Sequence, residues 1–306
     1  MKAILFAILF VLPTLAADLT ADFHRHYEDG LLTSEQVATL RNVEVILIPG
    51  FMSETFISDD GRSHIDLSLI TKDYYGTHLR YLQSQGIPAR RLKASSSSVS
   101  DTRKEIGEVF ASTQRPLFFF THSLGGMALL DHLLENQELW PRVTGIIFLQ
   151  SPFTGAPVST VVQKFPAVAK VFPFFNVSTE MVRYLSPANR KDFIAKNEIL
   201  ISELLHQIPV LTVGGIANGY KSLFGTSVTL IKRGCIKVAL GRCVGPKFYA
   251  GPYDKSDGMV PFEGSKLPDA DYVMLKGADH GETIVRIPYR GYDHKRLTSA
   301  LLKLIL

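Results

Sequence analysis

Five segments of near-continuous apolar sequence constrain the fold of this chain most strongly. Strands with one face in water alternate apolar and polar residues, so uninterrupted apolarity predicts strands that are covered on both faces. Helical patterns lie between the segments, and RRLKAS (90–95) is a candidate for a further short strand. The alternation predicts an α/β domain with a mostly parallel central sheet and helices on both faces. The five segments are VEVILIPG (43–50), PLFFFTH (116–122), VTGIIFLQ (143–150), IPVLTVGG (208–215) and DYVMLKG (271–277).

Short capping motifs predict where two of the helices begin. Thr33 and Gln36 form a capping box, in which each side chain bonds the backbone N–H of the other residue. Ser100 opens the helical pattern SDTRKEIGEVFAST (100–113), and serine is a favoured N-cap because its oxygen accepts a backbone N–H. We therefore expect helices that start directly after Thr33 and Ser100.

The stretch FFFTHSLGGMALL (118–130) joins a predicted strand to a predicted helix through a polar turn. A serine at the tip of such a strand–turn–helix unit is typical of a nucleophile elbow, in which the sharp turn exposes the hydroxyl. Crowding beneath the turn requires small residues at positions such as Thr121 and Gly125. The N–H of Leu124 lies at the helix start, where backbone donors have no intrahelical acceptor. The pattern predicts Ser123 as a nucleophile and Leu124 N–H as an oxyanion donor.

A serine nucleophile needs a general base, and the base needs an acid that orients it. His280, in KGADHGETI, follows the last predicted strand, where a short loop returns it to the carboxyl edge of the sheet. Asp257, in SDGMVPF, precedes it and gives the chain order Ser, Asp, His. Asp254 is an alternative acid three residues earlier. We predict Ser123, Asp257 and His280 as the catalytic residues.

A second oxyanion donor is predicted in the loop LIPGFMSE (47–54), which follows the first strand. Gly50 lets the backbone approach a ligand closely because it has no Cβ. The N–H of Phe51 is the candidate donor, and that of Met52 is the next. The alternative is a Pro-Gly turn that only ends the strand.

Two long insertions interrupt the alternation, at about 154–207 and 216–253. Segments of this length between core elements usually form caps or binding loops. The first is rich in apolar residues, so we predict a cap or lid, with ordinary packing under a long loop as the alternative. The second contains Cys235 and Cys243, the two cysteines of the chain. They are expected to form a disulfide if the chain is exported, with free thiols as the alternative.

Residues 1–17 combine one lysine, a short apolar run and a small-residue exit, which is the pattern of a secretory signal peptide. The apolar run is too short to cross a bilayer. We therefore expect an exported protein, periplasmic or extracellular, with its domain over 18–306. The formal net charge is +4 and no basic run is dense enough for a nucleic-acid groove, so no nucleic-acid partner is expected. The charge is compatible with weak peripheral contact with anionic lipid surfaces.

Together, LIPGF, THSLGG, SDGMVP and GADHGET resemble the motifs of the α/β-hydrolase superfamily. Within it, the chain is similar to secreted lipases and esterases, namely triacylglycerol lipases and the related inositol-deacylase-like group. LQSPFTGAPVS (149–159) also resembles the segment in which such lipases begin their lid. Thr121 departs from the glycine that is usual there, which bears on the subfamily.

The resemblance implies an α/β-hydrolase fold with a cap or lid insertion. It also implies a Ser-His-Asp triad and an acyl-enzyme intermediate, but it does not fix the substrate. We expect a hydrolase of carboxylic esters, with lipid esters as the favoured substrates. No cofactor or metal-ligand set is predicted. An acyltransferase or a polyester depolymerase would use the same triad, and a non-catalytic binding protein would keep only the fold. The sequence does not indicate an oligomeric state.

Overall fold

The computed structural model describes residues 16–50, 74–93, 98–164, 179–217, 237–239, 242–244, 255–286 and 291–306. Most of the predicted signal peptide lies outside these residues, as do Phe51, Met52, Asp254 and Cys235. Cys243 lies in a described strand, but its side chain is not described. The signal peptide, the disulfide, the Phe51 donor and the alternative acid therefore stay predictions.

Helices and strands alternate along most of the described chain. The helices are α1 (Thr20–Glu28), α2 (Ser34–Leu40), α3 (Gly76–Ser84), α4 (Val99–Ser112), α5 (Leu124–Glu135), α6 (Pro157–Lys164), α7 (Thr179–Tyr184), α8 (Pro187–Lys196), α9 (Glu198–Gln207) and α10 (His294–Lys303). The strands are β1 (Glu44–Ile48), β2 (Ala89–Arg91), β3 (Leu117–His122), β4 (Val143–Leu149), β5 (Val210–Ile216), β6 (Lys237–Ala239), β7 (Arg242–Val244) and β8 (Asp271–Lys276).

Six of these strands form one parallel sheet in the order β2-β1-β3-β4-β5-β8. Every strand predicted from an apolar run is in it, and so is the short candidate at RRLKAS, which contributes to β2. Strands β6 and β7 pair separately and antiparallel. Because all six strands of the main sheet point the same way, the segments that leave β1, β3, β4, β5 and β8 meet at one edge.

The sheet is covered on both faces, as the apolar runs predict. Within β3, Phe119 belongs to one buried cluster, together with residues of α4, α5, α8 and α9. Its neighbours Phe118 and Phe120 belong to the other cluster, together with residues of α1, α2, α3 and α10. Successive side chains of a strand point to opposite faces, so an apolar residue is needed at every position.

The two predicted helix starts have different outcomes. The capping box at α2 is confirmed, with both reciprocal bonds between Thr33 and Gln36 present. The predicted cap at Ser100 is wrong, because α4 begins at Val99 and Ser98 accepts the N–H of Asp101 at 3.3 Å. Both serines stand in the same polar run, so a local cap preference cannot distinguish between them.

The described parts of the first insertion form helices α6 to α9. Ile194 of α8 and Ile201 of α9 are buried in the cluster that also contains α5. Arg190 of α8 forms a buried ion pair with Asp131 of α5 through two hydrogen bonds of 2.9 and 3.0 Å. The Tyr184 hydroxyl donates to the same carboxylate at 2.7 Å. Helices α7, α8 and α9 are therefore held against the core, and a lid role for the insertion stays a prediction.

Candidate active site

Ser123 occupies a strained turn between β3 and α5. Its backbone angles are φ 53° and ψ −124°, a conformation that non-glycine residues rarely adopt and that costs about 1–3 kcal/mol. Its N–H donates to the Leu149 carbonyl of β4 at 2.9 Å, which ties the turn to the sheet. The side chain lies at the carboxyl edge and keeps 8% of its surface exposed. This is the geometry that the motif predicts for the tip of an elbow.

Small residues surround the turn, but their arrangement differs from the expected one. A Cβ on Gly125 would meet the carbonyls of Ile48 and Pro49 at the end of β1, so this glycine makes room for β1. Thr121 faces Gly126 instead, where an added Cβ would lie 2.8 Å from its Oγ1. The Thr121 hydroxyl donates to the Ile147 carbonyl at 3.3 Å. A threonine is therefore accommodated because its neighbour across the turn has no side chain.

The three residues predicted as a triad are brought together in one hydrogen-bonded chain. His280 Nε2 lies 2.9 Å from Ser123 Oγ, and His280 Nδ1 lies 2.8 Å from Asp257 Oδ2. A neutral imidazole with its proton on Nδ1 donates to the carboxylate and accepts from the serine hydroxyl. His280 is 8% exposed and Asp257 is 1% exposed, so the chain runs from the buried interior to the surface. Such an arrangement can take a proton from Ser123 and later return it.

The carboxylate of Asp257 is surrounded by hydrogen-bond donors. Oδ1 accepts the N–H groups of Met259 at 2.8 Å and Val260 at 2.7 Å, both within its own turn. Oδ2 accepts the Gln150 amide at 2.9 Å in addition to His280. Four donors match the acceptor capacity of a carboxylate, so the buried group is satisfied. Sequence reasoning missed Gln150, which stands within LQSPFTGAPVS but has its partner Asp257 far away in the sequence.

A second chain of hydrogen bonds links the loop after β1 to His280. Gly50 N–H donates to the Tyr74 hydroxyl at 2.8 Å, and this hydroxyl lies 2.6 Å from His122 Nδ1. His122 Nε2 lies 2.8 Å from the His280 carbonyl. Because the carbonyl can only accept, His122 donates from Nε2, and its Nδ1 accepts the Tyr74 proton. Sequence reasoning missed both Tyr74 and His122.

The hydrogen bonds of this second chain require a neutral His122 and a neutral Tyr74, and the pKa shifts of both groups favour the neutral form. Burial lowers the pKa of His122 well below its usual value, and the neighbouring His280 lowers it further. Burial also raises the pKa of Tyr74, while the Gly50 N–H opposes this shift. Both side chains are therefore neutral at physiological pH, so His122 adds no charge beside His280.

Of the two predicted oxyanion donors, Leu124 directly follows Ser123, and Phe51 lies outside the described residues. Leu124 is the first residue of α5, where the helix dipole and the unpaired N–H groups favour an anion. Gly50 is the last described residue of its loop, and a Cβ there would lie 2.6 Å from that of Ser123. The N–H of Gly50 is bonded to Tyr74, which leaves the following N–H, that of Phe51, as the candidate.

The described residues contain neither a metal-binding cluster nor a helix that could span a bilayer. No cluster of three or more histidine, cysteine, aspartate or glutamate side chains there could hold a metal ion. The helices in those ranges are all too short or too polar to span a bilayer.

Comparisons with known proteins relate the chain to others through its fold. No protein-family model matches it, and no curated protein matches its sequence. Among solved structures it is similar to a metagenomic carboxyl esterase, with a TM-score of 0.65 and 14% identity over 90% of this chain and 76% of the esterase. It is also similar to a Bacillus licheniformis lipase in mature form, with a TM-score of 0.54 and 13% identity over 86% and 89% of the two chains. At such identities the similarity establishes the architecture, and the chain has the α/β-hydrolase fold.

Proposed function

We propose that this protein is a serine hydrolase that cleaves carboxylic esters. The proposal rests on one observation above all: Ser123, His280 and Asp257 form a continuous hydrogen-bonded chain at the carboxyl edge of the sheet. The strained backbone of Ser123 places its hydroxyl at the carboxyl edge of the sheet, and the start of α5 behind it can stabilise an anion. Two of the structurally similar proteins are described as a carboxyl esterase and a lipase, which supports the same reaction class.

The reaction would proceed through two proton transfers by the same histidine. Ser123 Oγ attacks the ester carbonyl carbon while its proton passes to His280 Nε2. The C–O bond to the alcohol breaks, the alcohol takes the proton from His280, and the acyl group stays on Ser123. Water then attacks the acyl-enzyme, again giving a proton to His280. The acid departs, and Ser123 recovers its proton.

Each remaining group would stabilise one part of this cycle. Asp257 holds His280 in the tautomer with the proton on Nδ1 and stabilises its charged form. The N–H groups of Leu124 and Phe51 would donate to the oxyanion of the tetrahedral intermediate. His122 is neutral, so it would not repel the charged form of His280 that each half-reaction creates.

We further propose that the substrates are lipid esters. The first insertion is rich in apolar residues, and its helix α8 is held against α5 by Arg190, so the insertion would supply the surface that receives an acyl chain. A series of p-nitrophenyl esters of increasing chain length, with and without lipid dispersions, tests this. A rise in kcat/KM with chain length is expected, whereas a sharp preference for short soluble esters would contradict a lipid substrate.

The same series tests the reaction itself when the catalytic variants are included. Ser123→Ala and His280→Ala should each reduce kcat by orders of magnitude, and Asp257→Asn should do so with the fold intact. Ester products formed when an alcohol is added would indicate an acyltransferase. Wild-type rates in Ser123→Ala would show that the protein is no serine hydrolase.

A further inference from the structure

Gln150 lies at the end of β4 and is fully buried, with all its amide hydrogen-bonding groups directed at the site. Its Nε2 donates to Asp257 Oδ2 and to the Asp279 carbonyl, both at 2.9 Å. Its Oε1 accepts the Thr283 hydroxyl at 2.6 Å. The side chain therefore contacts the acid and both sides of the loop that carries His280.

The orientation of this amide follows from the chemistry of its partners. A carboxylate and a carbonyl can only accept, so the amide nitrogen must face Asp257 and Asp279. The Thr283 hydroxyl can donate, and it meets the amide oxygen. A reversed amide would place its oxygen against two acceptors. The three bonds are thus mutually consistent in one orientation only.

The backbone around Gln150 is shaped to hold its side chain there. Gln150 has φ 50°, in the left-handed region that a non-glycine residue enters only under constraint. Its N–H donates to the Val213 carbonyl of β5 at 2.6 Å. On the facing strand, a Cβ on Gly215 would lie 2.5 Å from Gln150 Nε2. The strained backbone of Gln150 and the absence of a side chain at Gly215 together make room for this amide.

We propose that Gln150 is a positioning residue that holds Asp257 and the His280 loop in register. Asp257 Oδ2 accepts from Gln150 and from His280 Nδ1, so the amide fixes the oxygen that orients the base. Its bonds to Asp279 and Thr283, on either side of His280, fix the backbone of the base at the same time. This proposal rests on the proposed function, since it assigns Gln150 a part in that reaction.

Gln150→Glu provides the sharpest test because a carboxyl group resembles the amide in shape. Protonated Glu at this position donates to Asp257, as the amide does. Ionised Glu places a second negative charge against Asp257 and an acceptor against the Asp279 carbonyl. The charged and titratable groups that surround the position are Asp257, Asp279, His280 and His122.

The pH profile of kcat/KM for a soluble ester should therefore change in form. The wild-type profile is the reference and should level off to a plateau at higher pH. The kcat/KM of Gln150→Glu should instead decline at higher pH. At pH 8 it should be at least tenfold lower than that of the wild type. Gln207→Glu, which makes the same change at an exposed position, should keep the wild-type profile. A Gln150→Glu profile with the wild-type plateau, within twofold, would overturn the proposal.

A second variant covers the case in which Gln150→Glu does not fold. Gln150→Met removes all three bonds with little change in volume. Rates are normalised to the number of sites that a fluorophosphonate labels when the labelling has gone to completion, so unfolded molecules do not count. We expect kcat to fall at least tenfold with KM within twofold of the wild type, and an unchanged kcat would refute the positioning role. Ser123→Ala serves as the reference, because wild-type rates in that variant would reject the proposed function whatever Gln150 does.

Discussion

Tyr74→Phe removes a single hydroxyl that joins the loop after β1 to the base. In the structure this hydroxyl accepts the Gly50 N–H at 2.8 Å and lies 2.6 Å from His122 Nδ1. Both partners are buried and lose this bond in the variant. A buried polar group left unpaired costs about 1–3 kcal/mol, so the free energy of unfolding should fall by about 2–6 kcal/mol.

The activity should fall as well, because the loop held by Tyr74 leads into the predicted donor Phe51. Complete loss of an oxyanion donor reduces kcat by about 10²- to 10³-fold. Tyr74→Phe loosens the loop without deleting the donor, so we expect a loss of at least about tenfold that does not exceed this range. KM should change little because the variant removes no predicted contact with the substrate.

Tyr75→Phe is the matched control, since it removes the same group one residue later. Tyr75 is fully buried, but its hydroxyl has no hydrogen-bond partner in the described part of the chain. Its removal should leave kcat unchanged and keep or raise the free energy of unfolding, by at most about 1–3 kcal/mol. Urea unfolding curves and p-nitrophenyl ester hydrolysis measure both quantities. A Tyr74→Phe protein with wild-type kcat would refute the connection between this network and the site.

Two further predictions concern stability. Arg190→Met leaves the Asp131 carboxylate buried without its cation, so urea unfolding should show a loss of about 3–5 kcal/mol. The double variant Arg190→Met with Asp131→Leu should recover part of this lost free energy of unfolding. If the losses of the two single variants simply added in the double variant, the two residues would not be coupled. Burial lowers the pKa values of His78, His122 and His294, so the unfolded chain binds more protons below pH 6.5. The free energy of unfolding should be constant above about pH 7 and fall as the pH drops. Each histidine contributes a fall of up to about 1.4 kcal/mol per pH unit. A free energy of unfolding that stays constant down to pH 5 would contradict this.

The sheet was predictable because its strands are buried on both faces. Each apolar run, such as the one through Phe118, Phe119 and Phe120, needs no long-range information to be recognised as a covered strand. The start of α4 was not predictable, since several serines compete for the cap. The cap role of the first insertion depends on residues beyond those that the structure describes.

The site was predictable where local geometry dictates the sequence, as at the turn of Ser123 and the Asp-Gly turn of Asp257. Gln150 is different, because its partners lie 107 to 133 residues away and only the folded sheet brings them together. Tyr74 and His122 act through backbone groups of Gly50 and His280, which leave no signature in the sequence. Side chains such as Gln150, Tyr74 and His122, which position other groups, are therefore the part of the site that the sequence alone does not predict.

Labelling with a fluorophosphonate tests the central claim most directly. An activated serine attacks the phosphorus and becomes covalently attached, whereas an ordinary surface serine does not. We expect rapid labelling of the folded protein at Ser123, located by mass spectrometry, and none in Ser123→Ala. Asp257→Asn should label much more slowly, because His280 then lacks the acid that orients it. Equal labelling of the wild type and Ser123→Ala would contradict the account.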